Sequence, residues 1–175
     1  MKRANLQAEK DGLEQNIFDR SLRLCPSTRD WSVADLVRAC PDCGDFVLYC
    51  CHCNTNNNNK RRGSVPCHHF RVTFTDGACR QNGKPEARAG AGVAFSNRKE
   101  NNISSPITDE EDNYPVRTSQ RAELYAVKLA LLVFQLRLQD AQDSDPGSCI
   151  IATDSEYVVK GITTWLPTWK VSMSN

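Results

Sequence analysis

Long apolar runs are missing from this 175-residue sequence, and none approaches the roughly 20 residues that a transmembrane helix needs. Residues 1–16, MKRANLQAEKDGLEQN, are polar throughout and lack the apolar core of a secretory signal. A strong charge of either sign is missing too, since the formal net charge is +1. We therefore expect an intracellular protein, in the nucleus or the cytoplasm, that does not enter a membrane. Any contact with a polyanion should be local.

The length suits one ordinary domain with an extension, because single domains usually hold about 100–150 residues. Hydrophobic residues make up 39% and charged residues 25%, which is the composition of a globular protein. Residues 54–63, NTNNNNKRRG, cannot bury a core, so we interpret them as a linker or a surface loop. The basic run in this segment, Lys60, Arg61 and Arg62, is either solvated surface or a phosphate contact.

Cysteine, by contrast, is abundant: the chain has nine, and seven of them fall between Cys25 and Cys67. Disulfides are rare inside cells, so metal binding is the leading explanation of this clustering. The run CPDCG (40–44) resembles a zinc knuckle, and a second C-x-x-C follows within a few residues. The predicted ligands of a structural zinc ion are Cys40, Cys43, Cys50 and Cys53. Alternative ligand sets draw on Cys51, His52, Cys67, His68 or His69, and the competing interpretation treats the thiols as small buried hydrophobic groups.

Beyond this segment the pattern predicts alternating strands and helices. Alternating apolar residues predict a strand over 70–75, which Asp76 and Gly77 would end or bend, and AGAGVAF predicts another over 89–95. The remaining predicted elements are a weaker strand at 103–107, a long amphipathic helix capped by Thr118 or Ser119, a buried strand at 149–153 and a helix from Ser155 to about Trp165. A right-handed crossover would place the last strand beside the first.

Three acids lie at the ends or starts of these elements: Asp76, Glu123 and Asp154. Carboxylate oxygens are the ligands that hard divalent cations prefer, and two such cations can promote phosphodiester hydrolysis. The crossover predicts that Asp76 and Asp154 face one another. Taken singly, each acid is more simply explained as an ordinary cap or turn residue.

The segments that contain the acids are FTDGAC (74–79), TSQRAEL (118–124) and ATDSEYV (152–158). In order and spacing they resemble the type 1 ribonuclease H family, over roughly residues 68–170. The resemblance implies an α/β fold, a ribonuclease H-like mixed sheet with flanking helices, at 67–175, preceded by a polar and Cys-rich extension at 1–66. It also implies endonucleolytic hydrolysis of the RNA strand of RNA/DNA hybrids by a two-metal-ion site.

The resemblance assigns roles to individual residues. The catalytic acids that would hold Mg²⁺ or Mn²⁺ are Asp76, Glu123 and Asp154. The positions matching the family's substrate contacts are Cys79 (through its backbone), Asn82, Thr118, Ser119, Gln120 and Trp165. Polar groups among them would read ribose 2′-hydroxyls, which distinguish RNA from DNA. Trp165 would pack along the DNA strand, or else serve as a core residue of an amphipathic helix.

Some positions depart from the family pattern. Ser119 stands where Asn is frequent, and Arg117 is displaced from the expected arginine position. After Lys170 the chain reads VSMSN, where the family continues to a catalytic-loop His and a fourth carboxylate. We therefore expect a sheet that is incomplete at the C-terminus and reduced activity. The alternative function is a catalytically weak or inactive nucleic-acid-binding module, either a fragment or derived from a retroelement.

Overall fold

The computed structural model describes residues 22–51, 53, 67–140 and 147–166, with the side chains of 138–140 excepted. Residues 24–154 form one compact unit, and the described residues 22–23 and 155–166 belong to another. The predicted linker at 54–63 with its basic run, His52 and the C-terminal VSMSN lie outside the described residues.

Among the described residues of the first unit, six strands form a mixed sheet that is its framework. Its strands are β1 (Val37–Ala39), β2 (Phe46–Leu48), β3 (Phe70–Arg80), β4 (Arg88–Ala94), β5 (Ile103–Ile107) and β6 (Ser148–Ala152). Neighbours in the order β1-β2-β3-β4-β5 are antiparallel, whereas β6 is parallel to β3, with Phe70 opposite Ser148 and Phe74 opposite Ala152. The predicted mixed α/β sheet is thus confirmed, and so is the predicted pairing of the strand at 70–75, now β3, with the strand at 149–153, now β6.

Strand β3 extends further than the sequence predicted. The pair Asp76-Gly77 does not end it, because the ladder with β4 continues from Asp76 opposite Gly92 to Arg80 opposite Arg88. The turn comes instead at Gln81 and Gly83, whose backbone φ angles are 56° and 75°. The first of the three acid-containing segments, FTDGAC (74–79), therefore lies inside a paired strand.

The long helix α2 (Ser119–Asp140) covers one face of the sheet. Thr118 caps it, since its hydroxyl accepts a hydrogen bond from the Arg121 backbone N–H at 3.2 Å. The helix faces the sheet with small side chains, which allow close approach of the two layers. Buried Ala122 and Ala126 pack with Ala91 and Ile107, and Ala130 packs with Val93 and Phe95.

The Cys-rich segment adds two strands that the sequence pattern did not predict. Ser32 caps a single-turn helix, α1 (Val33–Leu36), which leads directly into β1. Strand β2 then joins the sheet, with Val47 opposite Arg71 and the Phe46 N–H donating to the Phe95 carbonyl at 2.9 Å. The predicted boundary at 66/67 stays a prediction, but residues on both sides of it share one sheet.

The second unit contains α3 (Glu156–Lys160), followed by a π-helical turn at Gly161–Trp165. The Ser155 hydroxyl accepts from the Val158 N–H at 3.4 Å, which caps α3. The predicted helix from Ser155 to about Trp165 is confirmed in extent. Across the described ranges, no helix combines the length and apolarity that a membrane crossing would demand.

Candidate active site

Three carboxylates from distant parts of the sequence meet beside the parallel strand pair. Asp76 lies in β3, Asp154 lies two residues after β6, and Glu123 lies near the start of α2. Oxygen atoms of the three groups all lie within 4.8 Å of one another. The structure therefore brings together the three acids that the sequence singled out.

Gly77 allows helix α2 to approach β3 closely enough to bring Glu123 beside Asp76. A Cβ atom at this position would lie 2.2 Å from the Glu123 backbone nitrogen and 2.3 Å from the Ala122 carbonyl carbon. Any other residue would overlap the backbone of α2, so glycine is required for this contact. The Gly77 backbone N–H also donates to the Glu123 carboxylate, which fixes the glutamate beside Asp76.

The electrostatics of the three acids are unfavourable without a compensating positive charge. Burial raises the pKa of Glu123, and the charges of Asp76 and Asp154 raise it further. Among the described residues, no donor reaches the buried Oε2 atom of Glu123. An all-oxygen ligand set with an orphaned carboxylate oxygen fits a hard divalent cation such as Mg²⁺ or Mn²⁺.

Four of the predicted substrate contacts, Asn82, Thr118, Ser119 and Gln120, lie around the start of α2. The Asn82 side-chain oxygen accepts from the Ser119 N–H at 2.9 Å, and the Gly83 N–H donates to the Arg117 carbonyl at 2.9 Å. These bonds tie the turn after β3 to the helix that carries Glu123. Gln120 is exposed there, and Cys79 lies in β3 opposite Ala89.

Trp165, the remaining predicted substrate contact, lies in the second unit. Its ring contacts Tyr157 edge to face, with centroids 5.3 Å apart. This contact leaves its predicted role along the DNA strand a prediction.

An ion pair next to the site was not foreseen from the sequence. The Arg121 Nε donates to Asp112 at 2.9 Å, and the guanidinium carbon lies 4.1 Å from the centroid of the Tyr114 ring. The Arg121 hydrogen bond lowers the pKa of the Asp112 carboxyl, although burial opposes this. The pair holds residues 112–114 against α2 two residues before Glu123. Nothing in the sequence spacing of Asp112 and Arg121 indicates it.

The four predicted zinc ligands do not come together as one set. Cys40 and Cys43 group with His68, whereas Cys50 and Cys53 group with Cys67 and His69. The physical reason is β2, whose three residues lie between the two C-x-x-C pairs and hold them apart along the sheet. The alternative ligands Cys67, His68 and His69 are therefore the residues that complete the groups.

The thiols in the group of Cys50, Cys53, Cys67 and His69 differ in their acidity. Burial opposes ionisation of Cys50, but the Cys53 backbone N–H and the His69 ring lower the pKa of the Cys50 thiol to about 7. Burial and the neighbouring thiols of Cys67 and Cys50 raise the pKa of Cys53 to about 12. Crowded thiols titrate as a set, because each negative charge disfavours the next.

Comparison with known proteins identifies a matching family and several relatives of the chain. The RNase H family profile matches residues 69–175. The chain is 39% identical over 114 residues to a ribonuclease H of Schizosaccharomyces pombe, covering 65% of this chain and 37% of that protein. It is 31% identical over 101 residues to ribonuclease H1 of Homo sapiens, covering 58% of this chain and 31% of that protein. The chain thus spans 31–37% of the length of these two relatives.

Solved structures are similar to the chain at lower identity. LC11-RNase H1 in complex with an RNA/DNA hybrid is 23% identical, with a TM-score of 0.39 over 58% of this chain and 73% of that chain.

Proposed function

The chain belongs to the RNase H family, and from this premise we propose that it hydrolyses the RNA strand of RNA/DNA hybrids. The observation that carries the proposal is the convergence of Asp76 from β3, Glu123 from α2 and Asp154 from the segment after β6, whose oxygens lie within 4.8 Å of one another. Acids that only cap helices or form turns would not be expected to cluster in this way, because their negative charges repel one another. The family's relatives named ribonuclease H support the same reaction class.

The three carboxylates would hold divalent cations, with Mg²⁺ or Mn²⁺ as the matching chemistry. When bound there, such cations would supply activation of the attacking water and stabilisation of the departing oxygen in phosphodiester hydrolysis. Asp76 and Asp154 are exposed, so a substrate would have access to their carboxylates. Glu123 is held from behind by the Gly77 N–H and keeps its Oε2 free for the cations.

The residues around the start of α2 would select RNA. Asn82, which is bonded to the Ser119 N–H, Ser119 and Gln120 offer amide and hydroxyl groups that would suit ribose 2′-hydroxyls. The Cys79 backbone would contribute to the same contact, and Thr118 would lie near a DNA phosphate. We propose Trp165 as the residue that packs along the DNA strand.

The test is cleavage of an RNA strand, labelled at one end and paired with DNA, by the whole chain with and without Mg²⁺. We expect Mg²⁺-dependent cutting that Asp76→Asn abolishes, because the substitution removes a metal-facing charge at constant volume. The matched control is Asp30→Asn, which makes the same chemical change at an exposed position and should leave the rate unchanged.

Cutting that persists in folded Asp76→Asn would overturn the site assignment. If the folded wild-type chain binds the hybrid without cutting it under any divalent cation, the chain is a nucleic-acid-binding module instead.

A further inference from the structure

The two Cys and His groups lie outside the carboxylate site, and the proposed hydrolysis does not use them. The larger group contains Cys50, Cys53, Cys67 and His69, whose ligand atoms all lie within 4.8 Å of one another. The His69 Nδ1 atom is 3.3 Å from the Cys53 Sγ and 3.9 Å from the Cys50 Sγ. A tetrahedral zinc ion with bonds of about 2.3 Å to sulfur and 2.0 Å to nitrogen separates such ligands by about 3.5 Å. The observed spacing brackets that value.

The smaller group contains Cys40, Cys43 and His68. The His68 Nε2 atom is 3.2 Å from the Cys43 Sγ, and Cys40 is 2% exposed. The backbone is shaped as in a metal knuckle: the Gly44 N–H donates to the Cys40 carbonyl at 2.8 Å, and Gly44 has a φ of 83°. Backbone N–H groups of Cys43 and Asp42 also point at the Cys40 sulfur.

Chemistry separates a metal site from a disulfide in both groups. Each group contains an imidazole in contact with a thiol. A histidine cannot take part in a disulfide, whereas mixed sulfur and nitrogen ligands in tetrahedral arrangement are typical of zinc. Adjacent residues His68 and His69 serve different groups, so the two sites interleave along the sequence.

We propose that the chain binds two zinc ions, one on Cys50, Cys53, Cys67 and His69 and one on Cys40, Cys43 and His68. The first ion has four protein ligands, which closes it to substrate and makes it structural. The second has three ligands among the described residues, which would leave one tetrahedral position for a further ligand. Together the ions fasten the Cys-rich segment to the start of β3.

The position of the ligands connects the ions to the carboxylate site. His69 directly precedes β3, the strand that carries Asp76, and its carbonyl accepts from the Ser148 N–H of β6 at 2.7 Å. Gly147, with a φ of 68°, packs so closely that an added Cβ would lie 2.5 Å from the His68 carbonyl oxygen. The metal ligands thus hold the first residues of both strands of the parallel pair.

The first test is the zinc content of the intact chain, produced without a histidine tag and measured by inductively coupled plasma mass spectrometry. We expect two zinc ions per chain in the wild type and one in each of Cys53→Ser and Cys43→Ser. Cys149→Ser is the matched control, since Cys149 belongs to neither group, and it should retain two ions. A wild-type chain without zinc overturns the proposal. If the wild type binds only one ion, the site whose Cys→Ser variant still binds that ion is overturned.

A second measurement does not depend on how well the variants fold. The wild-type chain is exchanged with Co²⁺, whose visible absorption reports coordination geometry and thiolate ligation. Intense tetrahedral bands that reach full strength at two equivalents are the expected result. Weak bands of an octahedral, oxygen-ligated ion would overturn the proposal, because Co²⁺ would then be bound only by carboxylates.

Discussion

Replacement of Gly77 by alanine tests the idea that one missing side chain positions the carboxylate site. The new Cβ would lie 2.2 Å from the Glu123 backbone nitrogen, about 1.2 Å closer than ordinary van der Waals contact at 3.4 Å. The neighbouring atoms are backbone, so they cannot rotate out of the way. Helix α2 must therefore move away from β3 by about 1 Å, and Glu123 moves with it.

Two magnitudes follow from this displacement. Overlap in a packed interior typically costs about 1–3 kcal/mol, and we expect the upper half of that range because both partners are backbone. A displacement of about 1 Å in a catalytic group can lower the rate about 100-fold. Urea unfolding would measure the first quantity, and kcat on an RNA/DNA hybrid would measure the second.

Gly92→Ala is the matched control for this experiment. Gly92 lies opposite Asp76 on β4, yet an added Cβ there would be 3.8 Å from the Asp76 carbonyl oxygen, which is ordinary contact. We expect its free energy of unfolding to stay within about 0.5 kcal/mol of the wild type and its kcat to be unchanged. If Gly77→Ala behaves like Gly92→Ala in both assays, the close approach of β3 and α2 does not position Glu123, and our account of the site is refuted.

Two further predictions concern ionisable groups. Because the folded-state pKa of Glu123 is raised, its ionised form destabilises the metal-free protein above that pKa. Glu123→Gln should therefore raise the free energy of unfolding of the metal-free protein at pH 7 by up to about 1 kcal/mol. The same substitution should abolish cleavage. Thermal unfolding at pH 7 and below pH 4 checks this: the gain should vanish at the lower pH, and a loss of stability at pH 7 would contradict it. Because Arg121 lowers the folded-state pKa of Asp112, that carboxylate stabilises the fold above its unfolded pKa, and the stabilisation is lost as pH falls through the folded value. Asp112→Asn should therefore lower the free energy of unfolding, measured in urea at pH 7, by about 1 kcal/mol, with Asp30→Asn as control. If the difference between Asp112→Asn and the wild type is undiminished at acid pH, the ion pair is not its cause.

The sequence predicted the parts of the fold that follow from local pattern and chain handedness. Period-two alternation located β3, and the crossover rule placed Asp154 beside Asp76, because a strand that returns through a helix has essentially one available hand. The strand at Ile103–Ile107 was also found, although its signal was weak.

Other features depend on tertiary contacts that local pattern does not contain. Strands β1 and β2 have three residues each, too few to show a period, and they exist because β2 pairs with β3. Spacing alone could not divide the cysteines, because His68 and His69 approach different C-x-x-C pairs only after β2 has joined the sheet. Likewise, the TDG motif indicated a turn, whereas packing of Gly77 on α2 keeps that glycine inside a strand.

The parallel pairing of β3 with β6 also bears on how the protein is made. Ribosomes release the N-terminal part first, so β3 emerges and can pair with β4 long before Ser148–Ala152 leaves the exit tunnel. During that interval the edge of β3 over Phe70–Phe74 has its backbone groups exposed, and unpaired edges of this kind recruit other chains into aggregates. The nascent chain is therefore most vulnerable between synthesis of the long helix and synthesis of β6, and a translational pause in that window should lower the yield of soluble protein.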